Sequence, residues 1–376
     1  MFRNSLPKII ILTAIYANHF TIPAFGQPKP TGDVDVAKCW SYPEPDGSGE
    51  GFVSDSVRLY VGGDGGRIEA LSMDGKKMWA TELGGDINSN LLATDIGLFL
   101  VTARISADAA KSTGNQIRSL SKETGITNWT AKLPDTSRHY LSSYQGSVVV
   151  VSKNGVIQSI DAKTGDFKWK REIAEGFAAE PRFIAEKLVV ASTAKQVFVI
   201  SLATGEIDSM RKLPFGVTAV AQTSNGDLIV GDERGNLTSF AGITEKVNWK
   251  FRGGGEISAI INVDDHILVT SHDNFAYSIG TRNGSVMWKR RLSGRVSRIA
   301  TYEDKYALIS GYDDHGAILT DLVSGKVAGQ IVLTDDESLT SNPIVANGLV
   351  LIRTSGSVKA YSLNGCTTKK EGGPDK

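Results

Sequence analysis

The sequence lacks an excess of charge of either sign. Its 376 residues include 41 Lys and Arg against 41 Asp and Glu, so the formal net charge is zero. Nucleic-acid-binding proteins usually carry a strong basic excess, because phosphate contacts supply much of their affinity. We therefore predict that the chain binds no nucleic acid.

Histidine and cysteine are also scarce, which limits the sites that the chain can build. The five His and two Cys show no zinc-ligand spacing. The segment YDDHG, Tyr312–Gly316, groups two carboxylates with an imidazole, but a hard cation takes six or more oxygen ligands. The segment GGDGGR, Gly62–Arg67, opens no helix and is therefore predicted to be a hairpin turn rather than a phosphate site. With no nucleophile motif present, we predict no catalytic residue, no metal and no cofactor.

Long apolar runs are absent after the N-terminus. Residues 1–26 combine Arg3 and Lys8 with the short apolar run LPKIIILTAIYA and the small residues AFG, a pattern typical of a secretory signal peptide. An uncleaved anchor is the alternative. The run is too short for a permanent bilayer span, and no Cys follows it closely enough for a lipoprotein. We predict an exported protein that is periplasmic or extracellular and not integral to a membrane, with a linker at 27–37.

A helical apolar period is missing from the mature chain, and a different repeat takes its place. The segment DAKTGDFKWKREI places Trp169 four residues after the turn residue Gly165. This position recurs about every forty residues, and two copies lack the aromatic residue. It is occupied in turn by Trp79, Trp129, Trp169, Ser209, Trp249, Trp288 and Gly329.

Short strands surround each copy of this position. Runs such as SVVVVSKNGVIQSI, β-branched on both sides of a turn, predict hairpins. Four strands in about forty residues are typical of one blade of a β-propeller. The Trp side chains in the fourth strands are expected to dock between neighbouring blades.

The two ends of the chain are predicted to meet in one blade. The last hairpin, LVLIRTSGSVKAYSL, has no fourth strand after it, and Trp40 in VAKCWSYPE lies one repeat before Trp79. The N-terminal strand would therefore complete the C-terminal blade. The sequence predicts an all-β, monomeric, eight-bladed propeller of four-stranded antiparallel blades at 38–365, followed by a disordered tail at 366–376.

The two cysteines occupy positions that fit this closure. Cys39 neighbours Trp40 in the borrowed strand, and Cys366 follows the last hairpin. In an exported protein two cysteines are more often paired than free. We predict a Cys39–Cys366 disulfide, with two unpaired thiols as the alternative.

The Thr-Gly turn followed by Trp, with its preceding strand, resembles the repeat of pyrroloquinoline-quinone (PQQ)-type propellers over about Cys39 to Leu363. The non-catalytic branch of this family, typified by BamB of the outer-membrane β-barrel assembly machinery, is similar in size, repeat number and closure. The resemblance implies a scaffold that binds an envelope partner through loops. The chain lacks that branch's lipid-attachment Cys and its Leu- and Arg-rich docking loop; REIAEGFAAEPRF, with Arg182, stands in its place.

The quinoprotein dehydrogenases form a second branch of similar propellers. The resemblance implies that an enzyme of this kind would need a bound cation, an Asp base and usually a pair of adjacent cysteines. The chain has no Cys-Cys pair and no long loops for a cofactor chamber. We therefore predict a protein that is not an enzyme, and keep the PQQ-dependent dehydrogenase as a minor alternative.

Two loops depart from the regular repeat and are candidates for binding. One carries about ten extra residues around ARISADAAKSTGNQ. Its Arg104 is a candidate interface residue, as is Arg182. The other, DDESLTSNP from Asp335, is acidic. We predict a scaffold for envelope proteins, plausibly in outer-membrane protein assembly; the alternative is a propeller that binds a glycan or small ligand in its central funnel.

Overall fold

The computed structural model describes residues 34–43, 51–103, 114–242, 246–292, 294–311 and 316–366. These residues form thirty-two strands in eight four-stranded antiparallel sheets arranged in a ring. They include no α-helix and one short 3₁₀ turn at Asp64–Gly66. The predicted eight-bladed β-propeller is therefore confirmed. The signal peptide predicted at 1–26, residues 27–33 of the linker and residues 367–376 of the tail lie outside the described residues.

The first four blades are each built from one continuous stretch of chain, with the strands in sequence order. Blade 1 comprises β2 (Phe52–Ser54), β3 (Arg58–Gly62), β4 (Arg67–Ser72) and β5 (Lys77–Glu82). Blade 2 comprises β6 (Leu92–Ala93), β7 (Leu98–Ala103), β8 (Asn115–Leu120) and β9 (Thr127–Lys132). Blade 3 comprises β10 (His139–Tyr144), β11 (Ser147–Ser152), β12 (Val156–Asp161) and β13 (Phe167–Glu172). Blade 4 comprises β14 (Arg182–Ile184), β15 (Lys187–Ala191), β16 (Gln196–Ser201) and β17 (Ile207–Lys212).

Blades 5 to 7 follow the same order, and blade 8 combines the two ends of the chain. Blade 5 comprises β18 (Val217–Gln222), β19 (Leu228–Asp232), β20 (Asn236–Phe240) and β21 (Val247–Arg252). Blade 6 comprises β22 (Ile257–Val263), β23 (His266–Ser271), β24 (Phe275–Gly280) and β25 (Val286–Arg291). Blade 7 comprises β26 (Val296–Tyr302), β27 (Tyr306–Gly311), β28 (Gly316–Asp321) and β29 (Val327–Val332). Blade 8 comprises β30 (Ile344–Ala346), β31 (Leu349–Arg353), β32 (Ser357–Ser362) and the N-terminal β1 (Ala37–Pro43).

The burial of each strand follows from its place in the blade. The second strand of blade 3, SVVVVS, is buried at every position, because neighbouring blades cover both of its faces. The fourth strand, FKWKRE, begins with two exposed residues and then alternates between half-buried and exposed positions. One face of this strand packs on the ring and the other meets solvent. Continuous β-branched runs therefore form the middle strands, and alternating charged runs form the outer ones.

The predicted closure by the N-terminal strand is confirmed. Strand β1 pairs antiparallel with β32, with Trp40 opposite Ala360 and Pro43 opposite Ser357. A disulfide joins Cys39 to Cys366, 327 residues later. The first and last described strands therefore lie side by side in one sheet.

Each tryptophan of the repeat packs on a glycine of the next blade. The indole nitrogen of Trp79 donates to the carbonyl oxygen of Lys122 at 2.8 Å. Gly125 beside it has a φ of 71°, and a Cβ there would lie 2.6 Å from the Trp79 ring. Only glycine combines this backbone conformation with such close approach. The same contact pairs Trp40 with Gly75, Trp129 with Gly165, Trp169 with Gly205, Trp249 with Gly284 and Trp288 with Gly325.

The two repeat positions without tryptophan are filled differently. At Gly329 the N-terminal segment takes the space, because a Cβ on this glycine would lie 3.0 Å from the Val34 carbonyl oxygen and 3.1 Å from Val36. Two residues after Ser209, the guanidinium of Arg211 lies 3.7 Å from the Phe240 ring centroid, a cation–π contact.

Candidate functional site: the central channel

The first strands of several blades enclose one cavity of about 600 Å³. Its walls come from blades 1, 3, 4, 7 and 8, which lie on different sides of the ring, so the cavity is on the central axis. We call it the wide chamber. A smaller cavity of about 240 Å³, the narrow chamber, shares Glu180, Arg298 and Asn342 with it. The two chambers therefore adjoin.

Arginines dominate the charged groups of both walls. Arg138, Arg298 and Arg353 line the wide chamber, and Arg182 and Arg298 line the narrow one. Glu180 is the acidic side chain that lines them among the described residues. Four arginines thus face one carboxylate, in a chain whose overall formal charge is zero.

Hydrogen bonds and ring contacts hold several of these arginines against the wall. Arg298 donates from Nη2 to the carbonyl oxygen of Thr340 at 3.1 Å, which ties blade 7 to blade 8. The guanidinium of Arg138, which directly precedes β10, lies 5.5 Å from the ring centroid of Tyr140 in that strand. The Nε of Arg182 is buried and has no hydrogen-bond partner in the described part of the chain. Arg298 is therefore held by a hydrogen bond between blades and Arg138 by a contact with a ring of β10.

Arg353 is positioned at the junction between the last blade and the first. It is 2% exposed. Its guanidinium donates to the carbonyl oxygens of Gly51 at 3.2 Å and Gly62 at 2.6 Å, both in or beside blade 1. The side chain thus has a structural role in addition to lining the wide chamber.

Aromatic side chains complete the wide chamber. Phe52, Tyr140 and Phe183 come from the first strands of blades 1, 3 and 4. Burial raises the pKa of Tyr140, the charge of Glu180 adds to this, and Arg138 opposes it. The hydroxyl therefore stays protonated at neutral pH. Three aromatic side chains beside cations, in a wall that is otherwise mostly polar, suit a ligand with an anionic group on a larger body.

The acidic loop after blade 7, which begins at Asp335, is held in place by an ion pair and leads into part of the chamber wall. Its Glu337 turns inward and forms an ion pair with Lys359. Desolvation would raise the pKa of Glu337, but hydrogen bonds from Lys359, Ser357, Thr334 and Thr354 outweigh it and lower the pKa to about 2. The neighbouring residues 340–344 then form part of the chamber wall. The Glu337–Lys359 ion pair thus fixes the loop against β32.

Two kinds of functional element, a metal-ligand cluster and a membrane-spanning helix, are absent from the described residues. Within that part of the chain, no group of three or more His, Cys, Asp or Glu side chains is arranged to hold a metal ion. Residues 312–315 of the YDDHG segment lie outside it. No helix among the described residues has the length and apolar character needed to cross a membrane.

Comparison with known proteins identifies the family. A family model described as outer membrane protein assembly factor BamB matches residues 31–144, 136–210 and 210–373. The chain belongs to this family. A curated relative, the outer membrane protein assembly factor BamB of Shewanella oneidensis, is 23% identical over 328 residues, which cover 83% of this chain and 71% of the relative.

Solved structures share the fold at lower identity. BamB from Moraxella catarrhalis matches with a TM-score of 0.66 and 16% identity, covering 87% of this chain and 98% of its own. The computationally designed Ika8 protein gives 0.72 at 14% identity, with coverage of 86% and 99%. The C-terminal WD40 domain of Sif2 gives 0.71 at 11% identity, with coverage of 89% and 100%. Because a designed protein matches as well as BamB, these likenesses establish the fold alone.

The residues predicted from sequence do not form one site. Arg182 lies in the wall of the narrow chamber, and Arg104 lies outside the described residues. Cys39 and Cys366 lie within blade 8. The tryptophans Trp40, Trp79, Trp129, Trp169, Trp249 and Trp288 lie at the outer contacts between blades.

Sequence reasoning missed Arg138, Arg298 and Arg353. Arg298 lies in the first strand β26 beside a register shift between Val296 and Arg298, so simple alternation does not indicate which way it faces. Arg138 directly precedes β10, and Arg353 ends the second strand β31. A partial signal existed in RVSRIATY, where Arg298 is the charged residue within an otherwise uncharged first strand, Val296–Tyr302. Alignment of the eight repeats on their first strands would have drawn attention to it.

Proposed function

We propose that the protein is a non-catalytic scaffold of the cell envelope that takes part in outer-membrane β-barrel protein assembly. The observation that carries this proposal is the family match, which extends from residue 31 to residue 373 and so includes every blade. A rigid ring with loops at both ends is well suited to hold partner proteins in fixed positions.

Export to the periplasm belongs to the same proposal. A disulfide persists in oxidising compartments such as the periplasm, and Cys39–Cys366 is compatible with such a location. The proposed organisation is a signal peptide at 1–26, a linker at 27–37, the propeller at 38–365 and a tail at 366–376, as a monomer. Partner contacts through Arg104 and Arg182 stay predictions.

Affinity capture from envelope extracts tests the scaffold. The tagged protein is expressed in the cells that make it, the envelopes are dissolved in mild detergent, and the captured proteins are identified by mass spectrometry. An exported Ika8 protein, which shares the fold, is the matched control for non-specific binding to a propeller. We expect a subunit of the barrel-assembly machinery with this chain and not with Ika8. Equal recovery with both, or none while a BamB control succeeds, would contradict the proposal.

A second candidate function is ligand binding in the channel. The wide chamber favours it, because Phe52, Tyr140 and Phe183 provide an apolar surface at the axis. Its volume of about 600 Å³ falls in the usual range for small-molecule sites. Calorimetric titration with simple saccharides and organic acids would test this function without any assembly partner.

A further inference from the structure

We propose that the channel binds a small organic anion, a sugar phosphate or sugar carboxylate, through its arginines. The inference deepens the ligand-binding candidate and is independent of the scaffold. Capture of an assembly subunit and binding of an anion are separate measurements, so either can fail alone.

The charge distribution is the first argument. Arg138, Arg182 and Arg298 bring fixed positive charge to two adjoining cavities, and Glu180 is the described carboxylate beside them. Cavities of one charge sign with protein walls focus the field and concentrate ions of opposite sign. The channel therefore attracts anions although the whole chain is neutral.

The chemistry of the cations is the second argument. A guanidinium presents a planar array of donors that matches a carboxylate or phosphate group. Arg298 is held by its bond to the Thr340 carbonyl oxygen at 3.1 Å, so little freedom is lost when a ligand binds. Arg182 adds a second guanidinium to the wall of the narrow chamber, beside that of Arg298.

The apolar wall indicates what carries the anionic group. Phe52, Tyr140 and Phe183 line the same chamber as Arg138 and Arg298. Aromatic faces cover the apolar face of a sugar ring, while its charged substituent reaches the arginines. A bare inorganic ion would leave this surface uncovered. We therefore expect glucose 6-phosphate to bind more tightly than inorganic phosphate.

Isothermal titration calorimetry at low salt tests the proposal with the full-length exported protein. The probes are glucose 6-phosphate, glucuronate, glucose, inorganic phosphate and a hexaglutamate peptide. We expect saturable binding of glucose 6-phosphate or of glucuronate, and no binding of glucose. Which of the two sugar acids binds distinguishes a phosphate ligand from a carboxylate ligand. Binding that weakens with added salt supports ion pairing. No saturable binding of either sugar acid, or binding of hexaglutamate alone, would overturn the proposal.

Charge variants locate the site. Arg182→Gln and Arg298→Gln should each weaken binding by about tenfold. Arg252→Gln, on the exposed outer strand β21, removes the same charge away from the channel and should leave binding unchanged. Equal weakening by Arg252→Gln would overturn the assignment.

A gain in affinity excludes an effect of misfolding. Glu180 is exposed at the chamber wall, so Glu180→Gln should fold normally. Removal of this negative charge should tighten binding of the sugar acid about threefold to tenfold. Unchanged or weaker binding by Glu180→Gln in a folded protein would contradict a site in this chamber.

Discussion

Blade 8 differs from the other seven blades in how its fourth strand is attached. In blade 3, a turn through Gly165 carries the chain directly from β12 to β13. In blade 8, the chain leaves β32 through Gly365, and the neighbouring strand β1 comes from the other end of the protein. The Cys39–Cys366 disulfide supplies the covalent link that a turn provides elsewhere. The comparison shows that in blade 8 a disulfide provides the covalent link that a chain turn provides in the other seven blades.

The junction from blade 8 to blade 1 carries a second specialised contact. Neighbouring blades elsewhere meet through apolar clusters and, except after Ser209 and Gly329, through an indole on a glycine. Here a Trp40–Gly75 contact is present as well, and Arg353 adds hydrogen bonds to two carbonyl oxygens of blade 1. The Arg353 hydrogen bonds help to fix blade 8, which combines strands from the two ends of the chain.

Loss of the disulfide should have the largest effect. The Cys39→Ser/Cys366→Ser variant removes a link that closes a loop of 327 residues. Chain-entropy arguments put the cost at about 5 kcal/mol as an upper estimate. Guanidinium unfolding gives the change in free energy, and hydrogen exchange should show faster opening of β1 than of β13. Equal stability of variant and wild type would show that pairing with β32 is enough to hold β1 without the disulfide.

Arg353→Met should have the second largest effect. The substitution keeps much of the side-chain volume but leaves the Gly51 and Gly62 carbonyl oxygens without these donors, in a site that is 2% exposed. Two lost charged hydrogen bonds correspond to about 3 to 4 kcal/mol. Arg252→Met, on the exposed face of β21, should change stability by less than about 0.5 kcal/mol. If Arg353→Met lowered the free energy of unfolding no more than Arg252→Met, Arg353 would not stabilise the junction.

Two glycines separate the backbone effect from the indole contact. Gly325 and Gly365 have φ values of 66° and 80°, so alanine is strained at both. A Cβ at Gly325 would lie 2.6 Å from Trp288, whereas at Gly365 it meets open space. Gly365→Ala should cost about 1 kcal/mol, and Gly325→Ala about 2 kcal/mol more. Denaturant unfolding of both variants measures the difference; equal costs would mean that Trp288 moves aside freely.

The repeat could be predicted because its signal is local and periodic. The spacing of Trp129, Trp169 and Trp249 predicts the blades, and Trp40 predicts the closure. Each indole packs on a turn of the next blade, so the tryptophans must recur at a fixed distance along the chain. The chamber could not be predicted in the same way. Arg298 follows a register shift in β26, where a shift of one residue reverses the side that a residue faces, and Arg138 lies directly before β10.

The same limit applies to the acidic loop after blade 7. From sequence, Asp335 and Glu337 are two exposed acids, and only the fold brings Lys359 of β32 to Glu337. The ion pair joins residues 22 positions apart through the loop and the hairpin. Charge along a sequence therefore indicates less about a site than hydrophobic period does about a strand.

A pH titration of stability should give the smallest effect and sharpen the comparison between blade 8 and the others. Glu337 has a folded-state pKa of about 2 against an ordinary value of 4.5, so its contribution is complete above pH 4.5 and is lost as the pH falls towards 2. Between pH 7 and pH 4 this group should account for about 1 kcal/mol of lost stability. Glu337→Gln should unfold with a correspondingly flatter dependence on pH in this range. An unchanged slope in the variant would place the titrating carboxylates in other blades and leave the loop without a part in the acid response.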